Sequence, residues 1–180
     1  LSATSPRQWR TWLADRGSLT QRLQRMSNGT FTVTVLKQEW HKPRRDEAMA
    51  LGIPFGQYAL IREVVLSGQG QPWVFARSVL PLSVLHGKLR FLRKLDNRPL
   101  GGLLFKNRAI RRGSIFVSQW PCAQLPETLQ TFAPLSASHS YATTLWARYS
   151  IFHHESAGLM VSEVFLPALS DNTIPLECDT

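Results

Sequence analysis

Cysteine is nearly absent from this chain of 180 residues: it occurs only as Cys122 and Cys178, and neither shares a Cys-x-x-Cys or Cys/His spacing. That composition argues against a disulfide framework and against a zinc site, and it suits a reducing compartment. Long apolar runs are also missing, since nothing approaches the roughly 20 residues a membrane span needs, and residues 1–10 carry no signal-peptide h-region. The sequence therefore predicts a soluble, cytoplasmic protein that does not span a membrane. It has no internal repeat and no low-complexity tract. The glycines of Ser67-Gly68-Gln69-Gly70-Gln71-Pro72 lack a Gly-Lys-Ser/Thr ending and run straight into a strand-like segment, so they do not form a phosphate loop. No Ser/His/Asp constellation has distinctive spacing, which leaves covalent hydrolase chemistry unsupported. His153 and His154 are adjacent, and a strand sends neighbours to opposite faces, so they cannot chelate one metal. His86 beside Gly87 reads as a surface residue.

Acidic residues are few: 12 Asp plus Glu stand against 21 Lys plus Arg, a net charge of +9. Such a balance biases partners and substrates towards negative charge. The cations are scattered as pairs (Arg44-Arg45, Arg93-Lys94, Arg111-Arg112) and not gathered in one tract, which favours a solvated basic surface over a nucleic-acid interface. With 43% hydrophobic residues, the length suits one core, and residues 1–180 are expected to form a single domain.

Helical spacing recurs at Trp9, Trp12 and Leu13, then at Leu19, Leu23 and Met26, with Ser18 placed to cap the second piece and Asn28-Gly29 ending it. Residues 31–36 alternate as a strand, and 37–46 read as a loop. Residues 58–66 and 73–80 are strand-like and joined by the Ser67–Pro72 turn, the clearest hairpin signal in the chain. Residues 82–95 have helical spacing that Gly87 weakens without breaking, and Pro99 opens a short helix with Leu100, Leu103 and Leu104 on one face. Three further strands, 113–120, 144–153 and 159–166, complete six. Residues 121–140 read as a long connection or insertion with a helical hint at Leu125 and Leu129. Six strands linked mainly by turns predict an α+β fold on an antiparallel sheet.

Three charged residues break the strand pattern. Residues two apart on a strand share a face, so Arg62 points with Leu60, Val64 and Leu66, Glu163 with Leu159, Val161 and Phe165, and Arg77 with Trp73, Phe75 and Val79. Arg148 shares a side with Trp146 and Phe152 and is a fourth candidate, though a paired structural arginine explains it equally well. Burying an unpaired charge costs several kcal/mol. Such groups persist when they pair with each other or face a polar cavity or ligand. For any one of them a buried ion pair or a wet strand edge is the ordinary explanation; three in adjacent strand-like segments point to a site that binds carboxylate.

Five blocks in order then carry a resemblance: Ile61-Arg62-Glu63-Val64, Gln71-Pro72-Trp73-Val74-Phe75-Ala76-Arg77-Ser78-Val79-Leu80-Pro81, Arg98-Pro99-Leu100-Gly101, Leu145-Trp146-Ala147-Arg148 and Ser162-Glu163-Val164-Phe165-Leu166-Pro167. With a looser match over 17–36, the chain resembles the chorismate lyase family along about its whole length. The resemblance implies a monomeric α+β fold with a six-stranded antiparallel sheet and flap-like helical loops closing a buried ligand cavity. It implies conversion of chorismate to 4-hydroxybenzoate and pyruvate, early in ubiquinone biosynthesis, without metal or organic cofactor. Residue by residue, Arg62 takes the place of the family's substrate-binding arginine, Glu163 that of its active-site glutamate, Leu100 that of a residue whose backbone touches ligand, and Leu19 that of a flap contact. Arg77 is added as a possible second carboxylate ligand. Residues 121–140 and the tail after Pro167 are longer than the family pattern. A rival is the non-catalytic sensor domain of the same fold found in bacterial transcription regulators; the 30 residues before the first strand are too few for the DNA-binding domain that precedes those sensors.

Overall fold

The alternating segments pair as one antiparallel sheet in a computed structural model that describes residues 6–130 and 144–171. Its strands are β1 (Thr32–His41), β2 (Ala59–Gly68), β3 (Gln71–Pro81), β4 (Arg111–Pro121), β5 (Thr144–His154) and β6 (Ala157–Phe165), in the spatial order β1-β2-β3-β6-β5-β4. The α+β expectation of six antiparallel strands holds. The β2–β3 connection turns at Gln69 and Gly70, both with positive φ (53° and 72°), the backbone that a two-residue hairpin loop matched to strand twist demands. Gly68 is required for a different reason: a Cβ there would overlap the Trp73 ring.

Helices cover both faces. On the first face lie α1 (Arg7–Leu13) and α2 (Leu19–Met26), the latter capped as expected by Ser18, whose hydroxyl accepts from the Gln21 amide at 3.4 Å. Trp12, Leu13 and Leu23 are fully buried there with Trp73 and Phe165, each large side chain contributing about 2–3 kcal/mol of apolar burial. Further along the same face, two 3₁₀ segments (Leu82–Val84 and Gly87–Arg93) and α4 (Leu100–Lys106) pack Leu85, Leu89, Leu92 and Leu104 against Leu60, Phe152 and Leu159. The second face is covered by α3 (Arg45–Leu51) and α5 (Glu127–Gln130), while α6 (Pro167–Asp171) follows β6.

Two expectations require correction. Residues 37–46 are not a loop: β1 runs on to His41 and α3 begins at Arg45. As an edge strand, β1 leaves its far half exposed on both faces, so polar side chains sit there while the backbone pairs with β2, and a bulge between Val35 and Lys37 further hides the alternation. Residues 82–95 are not one helix either. Gly87 takes φ 56° and divides the stretch into separate 3₁₀ turns. Of the proposed 121–140 connection, the described part holds a 3₁₀ turn at Cys122–Gln124 and α5, with Leu125 and Leu129 buried; the remainder, like the tail beyond Asp171, lies outside the described residues.

Candidate active site

Strand register brings Arg62, Glu163 and Arg148 into two adjoining rows on the first face. One row runs Gln38, Arg62, Ser78, Val161, Ser150, and the next runs Val64, Ala76, Glu163, Arg148. Small buried residues, Ser78 and Ala76, follow Arg62 and Val64 in these rows, and a third, Ser150, ends the first row beyond Val161. Long charged side chains thus stand beside small ones on this part of the sheet.

Arg62 is 2% exposed. Its Nη1 donates to Gln38 Oε1 at 2.6 Å, and its Nη2 donates to the carbonyls of Asp96 (2.7 Å) and Arg98 (3.1 Å). All three acceptors are neutral. Among the described residues no carboxylate pairs with Arg62, whereas Arg77 and Arg148 each have one. Burial pushes the Arg62 guanidinium below its ordinary range, against the more distant attraction of Asp96. A cation taken out of water without a counter-charge is costly, and a bound anion would supply what is missing.

Glu163 sits across from Arg148, whose Nε donates to Glu163 Oε2 at 2.6 Å and whose Nη1 donates to the carbonyls of Trp12 and Asp15, both at 2.6 Å. Arg148 therefore ties the loop after α1 to the sheet, as a paired structural arginine does, yet its buried Nη2 has no hydrogen-bond partner. Arg112 joins them. Its Nε donates to Ser150 Oγ at 2.9 Å, its Nη2 stands 4.0 Å from Glu163 Oε2, and it is held below its ordinary range by burial, with Glu163 opposing and Arg148 reinforcing the shift. The sequence pattern places Arg112 outside its strand, as one of the scattered basic pairs, because the bulge between Arg112 and Ile115 hides the first residues of β4. Three guanidiniums, Arg62, Arg112 and Arg148, thus lie on this face with one inward strand carboxylate, Glu163, while Asp15 and Asp96 act on them from the flanking loops.

Arg77 does not belong to this group. Its register partner on β2 is Glu63, one residue beyond Arg62, so it points to the second face. There Nε donates to Glu47 Oε1 at 2.7 Å, Nη2 to Glu47 Oε2 at 3.0 Å and Nη1 to Glu63 Oε1 at 2.5 Å. Glu47 is fully buried; desolvation pushes its carboxyl up, but Arg77 and Arg44 outweigh that and hold it below the usual range. Arg77 is the buried ion pair that the sequence had left open as an alternative.

Leu100 is the first residue of α4, after Pro99, which offers no side-chain cap, so the first amides of the helix have no intrahelical acceptor. Arg62 binds the carbonyl of Arg98 just upstream and so links this helix start to the sheet. Leu19 opens α2 and is buried with Leu23. The two helices approach closely because α4 carries glycine where they meet: a Cβ on Gly101 would lie 3.1 Å from Thr20 Oγ1. On the second face a cavity of about 230 Å³ is lined by Arg44, Asp46, Ser118, Trp120, Tyr149 and Ser162, among others. Its cation is already engaged, with Arg44 bonded to Glu47 at 3.1 Å and to Gln124 at 3.0 Å, so it lacks the uncompensated charge of Arg62. Among the described residues no cluster of His, Cys, Asp and Glu has the makings of a metal site.

The chorismate lyase family model matches residues 2–174. A probable chorismate pyruvate-lyase of Pseudomonas putida is 46% identical over 158 residues, spanning 88% of this chain and 80% of the relative. Another, of Pseudomonas aeruginosa, is 42% identical over 160 residues, spanning 89% and 84%. In fold the chain is similar to PhnF from Mycobacterium smegmatis (TM-score 0.58, 16% identity, 86% of this chain and 66% of that one). It is also similar to the C-terminal domain of the histidine utilization repressor from Pseudomonas syringae pv. tomato (TM-score 0.55, 10% identity, 77% and 92%). With that family match and those identities, the chain belongs to the chorismate lyase family.

Proposed function

We propose that this chain is a chorismate pyruvate-lyase, and the observation that carries the reading is Arg62, a buried guanidinium with three neutral acceptors and no counter-carboxylate among the described residues. Two relatives are named for that activity. Chorismate carries two carboxylates, one on the ring and one on the enolpyruvyl ether, which suits a face that holds three guanidiniums, one of them without a paired carboxylate. In the reaction the ring C–O bond to the enolpyruvyl group breaks, the neighbouring ring proton is lost, and the enolpyruvate takes up a proton to become pyruvate; the ring is left aromatic as 4-hydroxybenzoate. Aromatisation makes the step strongly downhill, so positioning and charge control are the protein's task. No metal or organic cofactor enters it.

In this reading Arg62 and the amides at Leu100 anchor the ring carboxylate by charge-assisted hydrogen bonds. Arg112, together with the free Nη2 of Arg148, faces the enolpyruvyl carboxylate and the negative charge that develops on the leaving oxygen. Glu163, held by Arg148, hydrogen-bonds the hydroxyl end of the ring and steers loss of the ring proton. Leu19 and its helix form one flap and α4 the other. The protein acts as a monomer in the cytoplasm, ahead of ubiquinone assembly, and takes no nucleic acid; equilibrium sedimentation checks the first of these.

The test is to incubate the purified protein with chorismate in the presence of chelator and follow 4-hydroxybenzoate and pyruvate together. Equal formation of both is the expected result. Binding of 4-hydroxybenzoate with no turnover would replace the lyase by a sensor of the same fold. Glu163→Gln is expected to reduce turnover while leaving 4-hydroxybenzoate binding largely intact; full turnover in that variant would remove Glu163 from the chemistry.

A further inference from the structure

One corner of the molecule, away from Arg62 and Glu163, exposes apolar side chains that the fold has no use for. Met49 is 66% exposed, Phe55 61% and Tyr58 55%. They come from α3 and the connection to β2. Gly52, at φ 64°, ends α3 abruptly, and a tight turn closed by the Gln57 amide on the Pro54 carbonyl (3.2 Å) carries Phe55 at its tip. Cations lie against these rings: the Arg45 guanidinium is 5.2 Å from the Phe55 ring centroid and Lys42 Nζ is 5.8 Å from that of Tyr58. Between them is a shallow hollow of about 450 Å³ lined by Lys42, Pro43, Arg45, Ala48, Phe55 and Gly56, with two cations and no carboxylate. Of the acidic side chains nearby along the chain, Glu47 is buried against Arg77, Glu39 pairs with Lys37, and the exposed Asp46 lies 3.6 Å from Arg44.

We infer that this corner docks on an anionic lipid surface, with Phe55, Met49 and Tyr58 entering the headgroup region and Lys42 and Arg45 meeting lipid phosphates. At that depth the Tyr58 ring keeps its hydroxyl wet and its body apolar, Phe55 and Met49 supply purely apolar contact, and long cationic stems lie along apolar surface while their charged ends stay solvated. The apolar groups are separate tips ringed by cations, a form that suits a fluid interface better than a continuous protein groove. The chain's net charge of +9 attracts it to such a surface from a distance. This inference is independent of the lyase reading.

Sedimentation of the whole protein with vesicles of phosphatidylcholine, with and without phosphatidylglycerol, tests it. The expected result is binding to the mixed vesicles alone, weakening as salt rises. Lys42→Glu with Arg45→Glu is expected to weaken binding by at least about fivefold per cation removed, and Phe55→Ser with Met49→Ser to weaken it at unchanged salt dependence. Lys106→Glu with Arg108→Glu makes the same charge change beside β4, at the other edge of the sheet, and is expected to leave binding nearly unchanged. Hydrogen exchange on the unmutated protein should show the amides of residues 53–58 slowing when vesicles are added. The inference is overturned if the mixed vesicles do not bind, if the Lys106 and Arg108 pair weakens binding as much as the local pair, or if the protein captures poly-glutamate but no vesicles.

Discussion

The two faces of the sheet carry a similar unusual feature, an arginine on a central strand that is fully buried at Arg62 and mostly buried at Arg77, and satisfy it in different ways. On the second face Arg77 meets two carboxylates, Glu47 and Glu63. On the first face Arg62 meets a glutamine and two backbone carbonyls. Burial and charge are the same signal in both, so neither separates a structural residue from a binding one. The counter-charge does. The carboxylates around Arg77 account for it within the fold, whereas the neutral acceptors of Arg62 are what support the proposed anion site.

Substitution should separate the two faces sharply. Arg77→Met leaves the buried Glu47 with only Arg44 and the half-buried Glu63 without its cation, and is expected to cost about 3 kcal/mol of stability, read as a lower denaturant midpoint, while the turnover of each folded molecule is retained. A fully stable Arg77→Met, or one that folds but does not turn over, would break the comparison. Arg62→Met is expected to do the reverse, with apparent affinity for 4-hydroxybenzoate falling about a hundredfold, within the range seen when one partner of a buried charged pair is removed, and with a much smaller change in midpoint. Unchanged affinity by calorimetry would end the anchoring role.

Arg112→Gln sharpens the picture on the first face alone. Its expected signature is a loss of about tenfold in kcat/KM for chorismate, roughly 1.4 kcal/mol, with little change in 4-hydroxybenzoate binding, because the product lacks the second carboxylate. An equal loss for both ligands would place Arg112 with the ring carboxylate instead. The smallest effect concerns acid. Because Glu47 titrates below its ordinary value of 4.5 in the folded protein, folding favours its ionised form; the stability it adds is present in full above that value and is lost as pH falls through the lowered folded value. Glu47→Gln should lower stability at neutral pH and make the acid limb of the stability curve shallower, checked by thermal unfolding from neutral pH down through the carboxylate range.

Much of the sheet was legible because its evidence is local. Alternation and the Gln69-Gly70 turn located β2 and β3 to within two residues at each end, and Arg62 and Glu163 stood out as charges on apolar faces. The misread segments have a common physical cause. The outer half of β1 is stabilised by backbone pairing at an exposed edge, where side chains carry no periodic signal. Arg112 precedes a bulge, which shifts the phase of β4 and makes an inward residue look outward. The spacing of Leu82, Leu85, Leu89 and Leu92 suits a 3₁₀ pair as well as an α-helix, and only the positive φ at Gly87 separates the two.

By itself, the sequence determined that six short strands would pair through turns and that several arginines and a glutamate would be carried into a largely apolar interior, since both follow from spacing along a single strand. Only the tertiary structure decided which arginine was already neutralised. That depends on one residue of register, which sends Arg62 and Arg77 to opposite faces, and on Glu47, a residue of another element 30 positions away that docks on the second face and not the first. Charge compensation acts through space, so no pattern read along the chain contains it.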